Sequence, residues 1–186
     1  MQQSQSTIET INPIQKQMTL ACKVAFIGDT NVGKTSLVNK LLQRNFSSNH
    51  PTIGTVFDIL NTVIDNSSVK FHIWDTAGQE RFHSIVPMYI RDTHIIVMVF
   101  DLNSKTSFDN IKNIWIKTIK QSCGGNDIND NGTINNNTMS SQIVLVGNKS
   151  DLCKECTFIE DVNEFCKSTG IYFTQARYTH ISSHVT

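Results

Sequence analysis

Net charge is missing from this chain: 16 Lys and Arg balance 16 Asp and Glu. A zero balance argues against broad electrostatic attraction to nucleic acid or an anionic membrane and leaves room only for a local basic site. A membrane-spanning run is missing too. The longest aliphatic and aromatic stretch covers residues 95–100, far short of the roughly 20 residues a transmembrane helix needs. Residues 1–20 contain no apolar signal-peptide stretch, so a cytoplasmic location is expected. Regularly paired cysteines are also lacking. The five, Cys22, Cys123, Cys153, Cys156 and Cys166, are odd in number and scattered, which reads as free thiols in a reducing compartment. Cys153-Lys154-Glu155-Cys156 has no second pair at a zinc-site spacing and reads as a surface turn.

What is present suffices for one domain with a sizeable core. Residues 1–20, rich in Gln, Ser and Thr, read as a flexible N-terminal arm. Residues 21–177 read as one α/β domain and 178–186 as a short tail. Apolar runs predict strands at 21–27, 55–64, 69–74, 94–100, 143–146 and 172–174. Helical spacing predicts helices at 34–43, with Leu37, Val38, Leu41 and Leu42 on one face, and at 106–120, with Phe108, Ile111, Trp115 and Ile119 on one side. A third is predicted at 160–167, stopped by Gly170. The pair 55–64 and 69–74 reads as a hairpin across Asp65-Asn66-Ser67-Ser68. Residues 124–141, dominated by Asn, Asp, Gly, Ser and Thr, read as a flexible low-complexity surface insertion. Alternating strands and helices predict a mostly parallel sheet, with ligands at the carboxyl ends of its strands.

Three motifs follow predicted strands. Gly28-Asp29-Thr30-Asn31-Val32-Gly33-Lys34-Thr35 satisfies G-x-x-x-x-G-K-[ST] between a strand and a helix. Glycines let the backbone wrap closely, so N–H groups from Asp29 to Ser36 (through Thr30, Asn31, Val32, Gly33, Lys34 and Thr35) can meet phosphate oxygens. Lys34 supplies a cation to the β/γ-phosphates, and the Thr35 hydroxyl a hard ligand for Mg²⁺. In Trp74-Asp75-Thr76-Ala77-Gly78-Gln79-Glu80, Asp75 can hold Mg²⁺ through water, the Gly78 N–H can meet the γ-phosphate, and Gln79 can orient an attacking water. In Asn148-Lys149-Ser150-Asp151, the Asp151 carboxylate can accept two hydrogen bonds from the N1–H and amine of guanine. Adenine would leave it unpaired. Asn148 and Lys149 would brace that loop and cover the base.

In this order the motifs resemble those of a small GTPase of the Ras superfamily. Ile73-Trp74-Asp75-Thr76-Ala77-Gly78-Gln79-Glu80-Arg81-Phe82, and Thr52-Ile53-Gly54 ahead of Phe57, resemble the Rab branch, which governs vesicle traffic. The resemblance spans roughly residues 23–177. It implies a P-loop NTPase fold: a mostly parallel sheet with one antiparallel hairpin and helices on both faces. It implies a GTP-binding molecular switch that hydrolyses GTP to GDP with Mg²⁺. Gln79, Thr52 and Lys34 would be the catalytic set, and Thr35, Thr52 and Asp75 would hold the metal. Phe46 would pack on the base or sit as a core-edge aromatic. Ala176 and Arg177 would complete the base site, with the Ala176 N–H offered to the guanine oxygen. Residues 46–57 and 77–91 would be two switches that meet an exchange factor, a GTPase-activating protein and effectors. Phe57, Trp74 and Phe82 would serve effectors or be plain core. No arginine finger is evident in cis, so hydrolysis would be slow without a partner. A monomer is expected.

Departures from the pattern add further expectations. Pro51 directly precedes Thr52, and Val56 stands where Rab proteins commonly have an acid. Gln175-Ala176-Arg177 stands where the family has Ser-Ala-Lys. Residues 178–186 lack a helical pattern, so the family's final helix is expected to be missing and one sheet face under-covered. The last cysteine is Cys166, so no prenyl anchor is expected in this chain. Two other readings stay open: a non-catalytic guanine-nucleotide or effector-binding module, and a P-loop kinase or ATPase, which Asp151 argues against.

Overall fold

The computed structural model describes residues 19–44, 52, 54–78, 85–123, 128–135 and 140–177. The first strand, β1 (Thr19–Ile27), runs into the phosphate-loop motif, and α1 (Lys34–Leu41) leaves it. The hairpin β2 (Thr55–Ile64) and β3 (Ser67–Thr76) follows, turning at Asp65 and Asn66, both in the left-handed region. Then come α2 (Val86–Ile90), β4 (Ile95–Asp101) and a long helix. That helix consists of α3 (Lys105–Asn110), a π-helical turn at Ile111–Trp115, and α4 (Ile116–Ser122). The chain closes with β5 (Thr133–Asn135), β6 (Ser140–Asn148), α5 (Ile159–Thr169) and β7 (Tyr172–Gln175). No described helix is long and apolar enough to cross a membrane.

The seven strands form one sheet in the order β2-β3-β1-β4-β6-β5, with β7 also pairing β6. Strands β3, β1, β4, β6 and β7 are parallel, and β2 is antiparallel to β3. The α/β architecture with a mostly parallel sheet is therefore as expected. Strand period sorts the side chains. Ile96, Met98 and Phe100 of β4 lie in one core with Ile90, Phe108, Trp115, Ile119 and Val162 from α2, the long helix and α5. Val99 points the other way, into a second core with Phe26, Ile73, Val146 and Val38 of α1. Ile95, Val97 and Val144 stay only partly buried on this second face, where α1 is the only described helix.

Four local expectations need correction. Thr19 and Leu20, read as arm, already pair as strand with Ser68 and Val69. Leu41, placed on one apolar face with Val38, is exposed, because α1 turns it away from the sheet that holds Val38. A short helix, α2, forms between β3 and β4, where no helix was predicted, with Val86 and Ile90 buried. The insertion is not wholly a loose surface segment. Within its described part, Thr133–Asn135 pairs antiparallel with β6, and Ile134 is completely buried in the first core beside partly buried Ile128. Its backbone also packs on the turn after α5. Gly170, the left-handed cap there, has no room for a Cβ, which would meet Asp130 O at 1.8 Å.

Replacing Ile134 by Ala should therefore cost about 2–5 kcal/mol, the usual range for a large-to-small core change. Urea denaturation reads this directly. An unchanged midpoint would mean that the insertion contributes nothing to the core.

Candidate functional site

The carboxyl ends of β1, β3, β4 and β6 bring the three motifs together. Gly28 has φ 137° and Gly33 φ 96°, and the reason is space. A Cβ at Gly28 would lie 2.1 Å from Val99 O, and one at Gly33 2.3 Å from Asn148 Nδ2. The phosphate loop is thus pressed between β4 and the base loop. Lys34, only 5% exposed, donates to Gly28 O at 2.8 Å and to Asp29 O at 2.7 Å, so the ammonium lies across the loop. Burial pushes Lys34 down to about 8, against the pull of Asp75 and Asp29.

Beside it sits an all-oxygen cluster. Thr35 Oγ1 donates to Asp75 Oδ2 at 2.5 Å and lies 2.9 Å from Thr52 Oγ1. Asp75 is 2% exposed, and its Oδ1 is buried without a hydrogen-bond partner. Burial raises the Asp75 carboxyl above its ordinary range, while the Thr35 hydroxyl and Lys34 hold it down. Among the described residues no three His, Cys, Asp or Glu cluster, so the donors here are one carboxylate and two hydroxyls. That set fits Mg²⁺, which takes few protein oxygens and keeps water and phosphate for the rest. The orphaned Oδ1 fits it equally. Gly78 follows the end of β3 so closely that a Cβ there would lie 2.3 Å from the Asp29 carbonyl carbon. The Ala77 N–H donates to Gly54 O at 2.8 Å, joining this segment to the one carrying Thr52.

At the base loop, Asn148 is 2% exposed and donates from Nδ2 to Val32 O at 2.9 Å. The base loop and phosphate loop are therefore directly bonded. Lys149, at φ 62°, pairs with Asp101 Oδ2 at 2.7 Å. Burial alone would raise Asp101, but Lys149 and the Asn103 N–H groups hold it below the ordinary range. A cavity of about 230 Å³ lies between Asp29–Val32 and Asp101, Ser107 and Lys149. Asp151 is exposed.

One expected role is not supported. The Ala176 N–H is committed to Gly147 O at 2.9 Å, and the Ala176 carbonyl accepts from the Ser150 N–H at 3.1 Å. Ala176 thus ties β7 to the base loop instead of leaving its N–H for a guanine oxygen. Arg177 is exposed. Phe46 and Gln79 lie outside the described residues, as do Pro51, Arg81 and Phe82. Asp101 was missed by sequence reasoning, although its place at the end of a buried strand was a usable signal. Trp74 lies on the accessible face of β3 and is neither fully buried nor free. It packs at 5.0 Å on Phe57 and 5.6 Å on Tyr89, a third ring that the sequence reading missed.

A family model described as the Ras family matches residues 23–180. The chain belongs to the Ras family. Within it, this Ras-family chain is similar to Rab-31 of Rattus norvegicus, at 38% identity over 80% of the chain and 69% of the relative. It is also similar to Rab-5B of Plasmodium falciparum, at 38% over 82% and 67%. Rab-5B of Dictyostelium discoideum matches at 32% over 80% of the chain, which spans 62% of that relative's length. The Ras-family chain is thus a Rab-like small GTPase with the P-loop fold.

The Lys34 environment gives a pH signature. With its pKa near 8, Lys34 is about half protonated at pH 8. A bound anion favours the charged form, so binding GDP at pH 8 should take up about half a proton. Calorimetry in two buffers of different ionisation enthalpy measures this. Buffer-independent heats at pH 8 would show that Lys34 is already fully charged.

Proposed function

We propose that residues 21–177 form a GTP-binding switch that hydrolyses GTP to GDP and works in intracellular vesicle traffic. The observation that carries this reading is the oxygen cluster Thr35–Thr52–Asp75 beside the buried Lys34, bonded through Asn148 to the base loop. In this reading, N–H groups from Asp29 to Ser36 and the Lys34 ammonium hold the phosphates. Thr35, Thr52 and Asp75 hold Mg²⁺, which when bound neutralises charge on the phosphate oxygens. Gly78 gives its N–H to the γ-phosphate, and Gln79 orients the attacking water. Asp151 reads guanine, while Asn148 and Lys149 keep its loop in place. The shared Thr35–Thr52 contact supports a first switch that responds to nucleotide state.

An exchange factor, a GTPase-activating protein and effectors would act through residues 46–57 and 77–91. The Phe57–Trp74–Tyr89 rings adjoin those segments, and Phe57 is 45% exposed. The unaided rate should be slow and a partner should speed it.

Purified protein should carry GDP or GTP near one per chain, seen by chromatography of the denatured extract. Changing Asp151→Asn should cost guanine binding about 10- to 100-fold, since a carboxylate bonded to two donors is lost. Equal affinity for GDP and ADP in the unaltered chain would refute the base reading. Single-turnover phosphate release with Mg²⁺ should occur, and Gln79→Leu should trap GTP. If Gln79→Leu changes nothing, the chain is a non-cycling binder.

A further inference from the structure

The Asp29 carboxylate, inside the phosphate loop, is held by two donors from the long helix. Asn110 Nδ2 donates to Asp29 Oδ2 at 2.7 Å, and Trp115 Nε1 to Asp29 Oδ1 at 2.8 Å. Neither bond is local, since 81 and 86 residues separate the partners. Trp115 is completely buried, so its indole N–H needs an acceptor, and Asp29 is that acceptor.

The helix is deformed where these donors arise. Asn110 and Trp115 stand five residues apart, which in an α-helix leaves side chains about 140° apart. Between them runs the π turn Ile111–Trp115, where the Ile116 N–H donates to Ile111 O. A turn bonded from i to i+5 brings residues five apart toward one face. Both donors thereby reach the two oxygens of one carboxylate.

The Asp29–Thr30 peptide is also fixed from two other directions. Lys34 Nζ donates to Asp29 O, and Gly78 packs so tightly on this peptide that a Cβ would meet Asp29 C at 2.3 Å and Thr30 N at 2.5 Å. A shift of Asp29 would therefore disturb the phosphate-facing N–H groups, the bridging ammonium and the seat of Gly78 together. A carboxylate in an anion-binding loop is otherwise unfavourable. Here its charge is directed at the helix and met by two N–H groups.

We propose that Asn110 and Trp115, brought together by the π turn, act as positioning residues that brace the phosphate loop through Asp29 and so set how slowly nucleotide leaves. The proposal rests on the guanine-nucleotide reading above. It also makes the long helix a mechanical input to the site: displacing the helix would loosen the phosphate loop through Asp29.

The test uses the full chain and two readouts. The protein has two tryptophans, Trp74 and Trp115, so its indole N–H spectrum holds two signals, and loss of one in Trp115→Phe assigns it. In Asp29→Ala the Trp115 signal should shift and exchange faster with water while that of Trp74 stays. Release of fluorescent GDP should speed roughly tenfold in Asn110→Ala, the size expected for losing a hydrogen bond to a charged group. Adding Asn110→Ala to Asp29→Ala should then change nothing further. An unmoved indole signal, an unchanged release rate, or effects that simply multiply would each overturn the brace. A chain that binds no GDP at all would refute the guanine reading instead, and the brace would stand or fall on the indole signal. Should Trp115→Phe fail to fold, Asn110→Ala, at a partly exposed position, keeps the release test intact.

Discussion

Two opposite charges are buried at one place, the Lys34 ammonium and the Asp75 carboxylate, and much of the architecture serves to hold them there. Each loses hydration, and each favours the other's charged form. Removing either would strand the other, a change that costs about 3–5 kcal/mol for buried charge pairs. The sheet sets their meeting. β1 and β3 are parallel neighbours with Phe26 opposite Asp75, so β3 delivers its carboxylate at the level where β1 releases the phosphate loop. Thr76 fastens the two strands with a 2.7 Å hydrogen bond to Phe26 O. Carbonyls of Gly28 and Asp29 supply the remaining partners of the ammonium. The buried pair is thus held by backbone dipoles and hydroxyls, which need little rearrangement.

The motifs were legible because their chemistry is local. Strand, glycine loop and helix stand in consecutive order, and the unbroken run in β4 announced a sheet covered on both sides. The long helix was legible by period, since Phe108, Ile111, Trp115 and Ile119 satisfy the α-helical spacing and all are buried. That same agreement concealed the π turn, because nothing in the apolar pattern demanded one. The insertion misled for a different reason. Composition averages over a segment, whereas Ile134 and Ile128 are rare apolar residues in an Asn-rich stretch whose partners lie in β6 and the core. The strand bond at Ala176 was hidden for a similar reason. Its residue type suits a backbone contact to the base, but the competing acceptor, Gly147 O, comes from a neighbouring strand.

The hairpin edge shows a further compromise. β2 is an outer strand with Val56, Phe57, Ile59, Val63 and Ile64 exposed, an arrangement that invites unwanted strand pairing. Asp58 lies among them and is gripped by Arg44 at 2.5 and 3.0 Å, which puts a charged pair on the strand. Lys23 adds a cation 5.6 Å from the Trp74 ring centre. The exposed apolar surface of the hairpin is therefore punctuated by charge.

The outer edge of β6 is shared end to end by two strands, β5 beside its beginning and β7 beside its end. Their pairings are near in sequence: Thr133 with Gln142, and Val144 with Tyr172. Across the sheet the distances are longer, with Thr19 on Ser68 and Val24 on Ile95. Closing a long loop costs more chain entropy than closing a short one, although the cost grows only logarithmically. The half of the sheet that carries the base loop can therefore begin to assemble from its own consecutive segments. Strand β1, which leads into the phosphate loop, meets both of its neighbours only across the longer closures.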